Sequence, residues 1–376
     1  MDRPAAQRPN RSLQPPAWVL LNSGDWHGVC DAERVGAARS ASKLPAAIDN
    51  NNEETHDPPA ARPAGPRMKI LVLGSSAGGG FPQWNCRCRL CAAFRRGELG
   101  GAARTQSSVA ISQDGQSWVL LNASPDIAQQ IRANPLLHPQ GGPRDSPIKA
   151  VVLMDSQLQN VAGLLSLRES QGLEVFATPL VFEDLTAGLP LLSALDHYTA
   201  VHWHMLPVAG ATPAAAFRVN GFDELRFCAI DVPGRTPRHA RQRGETAGES
   251  IALHIEDVRT GQRFFFSPAL AEVGEAELEW MRKADCLMVD GTFWDEHELR
   301  DAGLSGQSAS ELGHLPQSRF EGRAGMIDVL DATGAQRKIL THVNNSNPIL
   351  DERGAQRRAL DDHGIEVAHD GMVIEL

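Results

Sequence analysis

Cys86, Cys88 and Cys91 are the residues whose spacing speaks most directly of chemistry. Thiolates hold Zn²⁺ through charge and softness, and four ligands close a structural site. Three cysteines this close together can wrap one ion, and Arg87, Arg89 and Arg95 beside them favour the thiolate form. The fourth ligand is open among Cys228, Cys286, His202 and His204. Six cysteines in 376 residues are too few and too clustered for a disulfide-stapled secreted domain. The expectation is a structural zinc site in a reducing compartment.

A second place to look for metal chemistry follows the apolar strand that ends at Met154. Dinuclear zinc hydrolases place His-x-His-x-Asp-His just after such a strand, to bind ions that activate water. Here the segment reads Asp155-Ser156-Gln157-Leu158-Gln159-Asn160. Asp155 and Gln157 stand where the two histidines would be, Gln159 replaces the aspartate, and Asn160 replaces the last histidine. Neutral amides are poor Zn²⁺ ligands, so a standard dinuclear zinc hydrolase is excluded. The glycine run Gly74 to Gly80 also follows a strand, but its spacing is not that of a dinucleotide fingerprint, and it leads into Phe81-Pro82 rather than a helix. Its glycines serve instead to let the backbone turn beside a pocket.

These groups need a scaffold. Strand signals recur from Met68 onward: Met68 to Gly74, a hairpin of 107–112 and 118–122 around Asp114-Gly115, then 150–154, 225–230, 250–255, 263–267, 286–289 and 338–341. A final strand pair is expected around Asp370-Gly371, and 276–283 and 351–363 read as helices. Strands dominate both halves with helices between them, a pattern that suits an α/β chain built as an αββα sandwich. The first 67 residues differ: they hold nine of the 24 prolines and bury too little apolar surface to offset their chain entropy. They are expected to be disordered or to derive from an upstream start codon, leaving 68–376 as the domain.

The net charge of −10 disfavours nucleic acid as a partner. No apolar run approaches the roughly 18 residues that span a bilayer, so no membrane insertion is expected. The most basic stretch, Arg235 to Arg243, reads as a solvated loop. Asp295 to Arg300 reads as an exposed helix start, and His202 and His204 as two positions on one strand face.

The run from Met68 through Gly74-Ser75-Ser76-Ala77-Gly78-Gly79-Gly80-Phe81-Pro82-Gln83-Trp84-Asn85 into Cys86-x-Cys88-x-x-Cys91 resembles the N-terminal signature of the pyrroloquinoline quinone (PQQ) biosynthesis protein B family. Arg104 to Ser108, Asn122 to Ile127, Gly163 to Glu169, Asp290 to Trp294, Gly313-His314 and Thr341 to Pro348 follow in family order. The resemblance covers Met68 to the C-terminus.

It implies a metallo-β-lactamase-like fold and a cytoplasmic role in assembling PQQ from a Glu and a Tyr of a precursor peptide. The activity it implies is iron-dependent hydroxylation of the tyrosine ring in the cross-linked Glu–Tyr intermediate. An older alternative is a soluble carrier of PQQ or its precursor towards the periplasm. The implied partners are that peptide-derived intermediate and other PQQ biosynthesis proteins. Family members place Asp-His where Gln159 and Asn160 stand, so the remaining active-site candidates are Asp155, Gln157, Asp290, His314 and His342. Two histidines and one carboxylate with open positions are the usual setting for Fe²⁺ and O₂. His314 and His342 with Asp290 or Asp155 could supply that set. Asp155 has a plainer reading as the residue that holds the turn before Asn160, and Asn344, Asn345 and Asn347 read as shaping their loop.

Overall fold

Period-two alternation sorts the side chains of each strand onto two faces. In Arg263–Ser267, Phe264 and Phe266 enter one core and Phe265 another. In Lys69–Gly74, Ile70 and Val72 share the first core while Leu71 and Leu73 face a third. Both faces of these strands are buried, so each sheet is covered on two sides.

The computed structural model describes residues 67–244 and 246–376. The expectation for 1–67 therefore falls, Arg67 apart, outside the described residues. Fourteen strands run in chain order as β1 (Lys69–Gly74), β2 (Ser108–Ser112), β3 (Trp118–Leu121), β4 (Ile148–Val152), β5 (Leu173–Ala177), β6 (Val201–Met205) and β7 (Ala214–Phe217). They continue as β8 (Leu225–Asp231), β9 (Ile251–Asp257), β10 (Arg263–Ser267), β11 (Cys286–Asp290), β12 (Arg337–Thr341), β13 (Ile365–Val367) and β14 (Val373–Glu375). One sheet has the order β14-β1-β2-β3-β4-β5-β6 and the other β13-β12-β11-β10-β9-β8-β7. The core between them is apolar, with Val109, Leu121 and Val152 from the first sheet against Phe227, Leu253 and Met288 from the second. Helices cover the outer faces, Glu275–Arg282 packing Met281 against Phe265 and Leu287. This is the four-layer αββα arrangement read from the strand pattern, a metallo-β-lactamase fold.

Two corrections concern local structure. The apolar segment 161–169, whose spacing reads as helical, is a 3₁₀ turn over Ala162–Leu167, and a Cβ at Gly163 would fall 2.0 Å from the Ser124 carbonyl oxygen. The helix expected over 351–363 begins only at Ala355, after the short Pro348–Leu350 turn capped by Asn347.

What matters for function is where the strands end. β10 to β13 are parallel, and so are β3 to β6. Asp290 at the end of β11 lies in register with Thr341 at the end of β12. The Met154 carbonyl accepts from Ile251 N at the start of β9, which brings the exit of β4 to the same rim. Carboxyl ends of parallel strands are where α/β sheets hold ligands.

Candidate active site and metal centre

Asp290 is wholly buried, and one of its carboxylate oxygens accepts from Leu270 N at 3.0 Å. The other accepts from Thr292 N at 2.9 Å and from the Thr292 hydroxyl at 2.6 Å. His314 follows a 3₁₀ turn over Ser310–Leu312 that Gly313 ends with φ 82°, a left-handed angle a glycine takes without strain. That turn delivers His314 Nδ1 to 2.7 Å from Asp290 Oδ2. His342, the residue after β12, itself has φ 57°, an uncommon conformation for a non-glycine residue. Strain of this kind concentrates at functional sites. Its ring lies 5.4 Å from that of His314, nearly parallel. Thr292 Oγ1 stands between the two, 3.1 Å from His314 Nδ1 and 2.8 Å from His342 Nδ1. Ligand atoms of Asp290, His314 and His342 all fall within 4.8 Å of one another.

The electrostatics suit a metal. Burial raises the Asp290 carboxyl, but the charge and hydrogen bond of His314 outweigh it and hold the group below the usual carboxylate range. Burial and then His314 push the His342 imidazole down to about 4, leaving it neutral, the form that ligates. The donor set is therefore two imidazoles and a carboxylate, the kind that suits Fe²⁺.

Asp155 and Gln157 reach the same place from the first sheet. Together with Thr292, His314 and His342 they line a cavity of about 480 Å³. Asp155 Oδ1 accepts from Gln157 N at 2.8 Å, and both its oxygens accept from Asn160 Nδ2, at 2.8 and 2.9 Å. Burial holds the Asp155 carboxyl above its ordinary range, against these hydrogen bonds. Asp155 thus holds the turn, while Asp290 is the carboxylate that meets both histidines. Gln157 Nε2 donates to the Arg235 carbonyl at 3.0 Å and ties the basic loop to the rim. Asn160 Oδ1 is buried without a protein partner among the described residues.

Cys86, Cys88 and Cys91 form the second cluster, with their sulfurs within 4.8 Å of one another. Cys88 and Cys91 are buried. The Asn345 carboxamide lies over all three, its Nδ2 3.1 Å from Cys86 Sγ, 3.7 Å from Cys88 Sγ and 3.4 Å from Cys91 Sγ. Burial pushes the Cys88 thiol up to about 11; at Cys86 hydrogen bonds from Cys88, Cys91 and Asn345 outweigh burial and lower it. Three sulfurs within reach of one ion, Cys88 and Cys91 buried and Cys86 half-buried, with the Asn345 amide donating to them, fit a structural Zn²⁺.

None of the four candidates for the fourth ligand joins this group. Cys286 points into the core between the sheets. Cys228 on β8 stands outside the sulfur cluster. His202 and His204 do share a face of β6, but both turn to Glu174 of β5, at 2.6 and 2.5 Å. Two further readings change. Asp295 to Arg300 is not an exposed helix start: Glu296 is buried, and Glu298 accepts from Trp294 N and the Ser346 hydroxyl, with burial raising its carboxyl to about 7. The stretch after Arg235 is not simply solvated, because Arg235, Arg238 and His239 line the cavity. Thr292 and the amide of Asn345 were legible only as members of longer motifs; nothing in their spacing marked them as site residues.

A family model for the beta-lactamase superfamily domain matches residues 117–343. Coenzyme PQQ synthesis protein B of Methylococcus capsulatus is 45% identical over 311 residues, 82% of this chain and 100% of its own length. That of Ectopseudomonas mendocina is 48% identical over 310 residues, again covering 82% of this chain and 100% of the relative.

The chain belongs to the coenzyme PQQ synthesis protein B family.

The crystal structure of Zn²⁺-bound PqqB from Methylobacterium extorquens agrees, with a TM-score of 0.73 and 35% identity over 82% of this chain and 100% of that one. As a PQQ synthesis protein B, the chain carries a metallo-β-lactamase fold with carboxamides, Gln157, Gln159 and Asn160, at three of the four positions of the dinuclear zinc ligand motif. No helix among the described residues is long and apolar enough to cross a membrane.

Proposed function

We propose that this PQQ synthesis protein B is an iron-dependent oxygenase that hydroxylates the tyrosine ring of the cross-linked Glu–Tyr precursor in the cytoplasm, alongside other PQQ biosynthesis proteins. The observation that supports the reading is the meeting of His314, His342 and Asp290, with both histidines lining one cavity and Asp290 buried behind them. Fe²⁺ bound there would supply the open positions at which O₂ is activated, and each hydroxylation would also draw two electrons and two protons from an external two-electron reductant, the second oxygen atom leaving as water. The chain's own residues do the rest. Asp290 anchors His314 and is fixed by two backbone amides, so the donors are held in place before binding. Phe293 and Leu299 add apolar surface to the cavity wall, against which an aromatic ring would rest. Zn²⁺ in the Cys86, Cys88 and Cys91 site, whose sulfurs accept from the Asn345 amide, would be structural.

The test is anaerobic loading with Fe²⁺, addition of a cross-linked Glu–Tyr substrate, exposure to O₂ and mass spectrometry. The expected product carries oxygen derived from O₂. A substrate recovered without added oxygen under every metal condition overturns the proposal.

A second reading, a carrier for PQQ or its precursor, is favoured by Gln159 and Asn160, which leave one side of the cavity without metal ligands. Calorimetric titration with PQQ tests it, and failure to bind at micromolar concentration removes it.

A further inference from the structure

Arg235 to Arg243 crosses the mouth of the cavity, and its four arginines are not equivalent. Both terminal nitrogens of Arg243 are committed. They donate to Asp184 Oδ1 at 2.5 Å and to Glu249 Oε1 at 2.6 Å, and both carboxylates are buried. Thr236 adds a hydrogen bond to Glu249 Oε2 at 2.9 Å, and the Gln157 amide fixes the Arg235 carbonyl. The loop is therefore pinned at both ends. Between the pins, the guanidinium groups of Arg235 and Arg238 have no hydrogen-bond or ion-pair partner among the described residues, and both line the cavity.

Their neighbours explain why this is unusual. Arg235 is half-buried, and desolvation together with Arg241 and Arg238 lowers its proton affinity. Like charges are thus held together without a counterion in a chain of net charge −10. The nearby carboxylates are engaged elsewhere. Asp155 is held by Asn160 and Gln157, Asp184 and Glu249 by Arg243, and Glu311 accepts from Ser308 N at 2.9 Å. Glu311 acts on Arg235 only at a distance. The position is also close to the reacting centre: the place where a Cβ on Gly313 would sit is 2.8 Å from Arg235 Cβ, and Gly313 precedes His314. Two unpaired guanidiniums on a pinned loop, the half-buried Arg235 and the exposed Arg238, both lining the cavity, match the planar geometry of carboxylates.

We propose that Arg235 and Arg238 form a carboxylate-recognition wall that binds an anionic, multiply carboxylated ligand and turns it towards His314 and His342. This deepens the oxygenase reading, on which the orientation part rests, by naming the charge class of the substrate. Both are positioning residues rather than groups that touch the reacting ring.

Binding of PQQ, a tricarboxylate, to the full chain loaded with its metals separates this proposal from the catalytic one, because it needs no turnover. Arg235→Met and Arg238→Met keep the apolar stems and remove the charge. Each is expected to weaken PQQ binding about tenfold, and the pair about a hundredfold. Arg→Lys at the same positions is expected to recover part of the loss. The trimethyl ester of PQQ is expected to respond to none of these changes. Arg241→Met, an exposed control, is expected to leave affinity within about twofold. Thermal midpoints and metal content identify any variant that fails to fold, and for such a variant the Lys form provides the comparison. Unchanged affinity in folded Met variants, an equal loss for the ester, or no saturable PQQ binding by the unaltered chain at millimolar concentration overturns the wall. Oxygen insertion that fails while the Met variants still lose PQQ binding overturns the oxygenase alone.

Discussion

His342 and Asn345 lie on one short loop after β12, yet the side chain of each belongs to a different cluster. His342 faces Asp290 and His314, and Asn345 lies over the three cysteine sulfurs. The glycine run fastens this loop from the other side, with Ala77 N donating to the Val343 carbonyl at 2.9 Å and Val343 N to the Ser75 carbonyl at 2.9 Å. The Cys segment therefore helps to hold a ligand of the other site.

Cys91→Ser is expected to lose tightly bound zinc and to lower the thermal midpoint by about 5–10 °C, corresponding to ~3 kcal/mol in a domain of this size. Iron affinity is expected to fall as well, because the loop that carries His342 loosens. Metal analysis and calorimetry on the same preparation check both effects; loss of zinc with unaltered iron binding would show the clusters to be independent.

His314→Ala is expected to act in one direction only. It removes an iron donor and should weaken Fe²⁺ binding by about 10–100-fold or more, while zinc stays at one equivalent because no Cys ligand contacts His314. Elemental analysis of the variant after loading with both ions reads the two sites separately.

Asn160→Asp is expected to destabilise the metal-free chain by about 3 kcal/mol at neutral pH, since it sets a second buried carboxylate against Asp155. The folded pair would hold a proton that the unfolded carboxyls release, so the deficit should shrink as pH falls towards their ordinary range. Urea denaturation with chelator at two pH values gives the sign.

His254 makes a pH prediction away from both clusters. It is buried in β9 beside Trp280, and its Nε2 has no partner. Burial, then Arg263 and Lys283, push it down to about 4 from 6.5. Between these values the unfolded chain binds a proton that the folded chain does not. Stability is thus expected to fall as pH drops from about 6.5 to about 4, by at most ~3 kcal/mol. His254→Phe should flatten that part of the curve in denaturant titrations.

The strand pattern carried the architecture because period-two alternation is local. The three phenylalanines of β10 and the alternating aliphatics of β1 read as doubly covered strands before any partner is known. The Cys86 to Cys91 cluster was legible for the same reason, its ligands lying within six residues of chain. The 3₁₀ turn after Val161 was not; there Gly163 packs close to the backbone of Ser124, distant along the chain.

By itself the sequence determined the layers, the cluster of three sulfurs and the short roster of polar residues from which an active site had to be drawn. Tertiary structure decided the membership. It chose Asp290 over Asp155 as the partner of the histidines, put Asn345 rather than a fourth sulfur or a histidine over the cysteines, and turned the basic loop from solvent to the cavity. The reason is physical: a metal site or an anion wall depends on distances between groups on different strands and loops. Those distances are fixed by how two sheets pack and where parallel strands end, not by spacing along the chain.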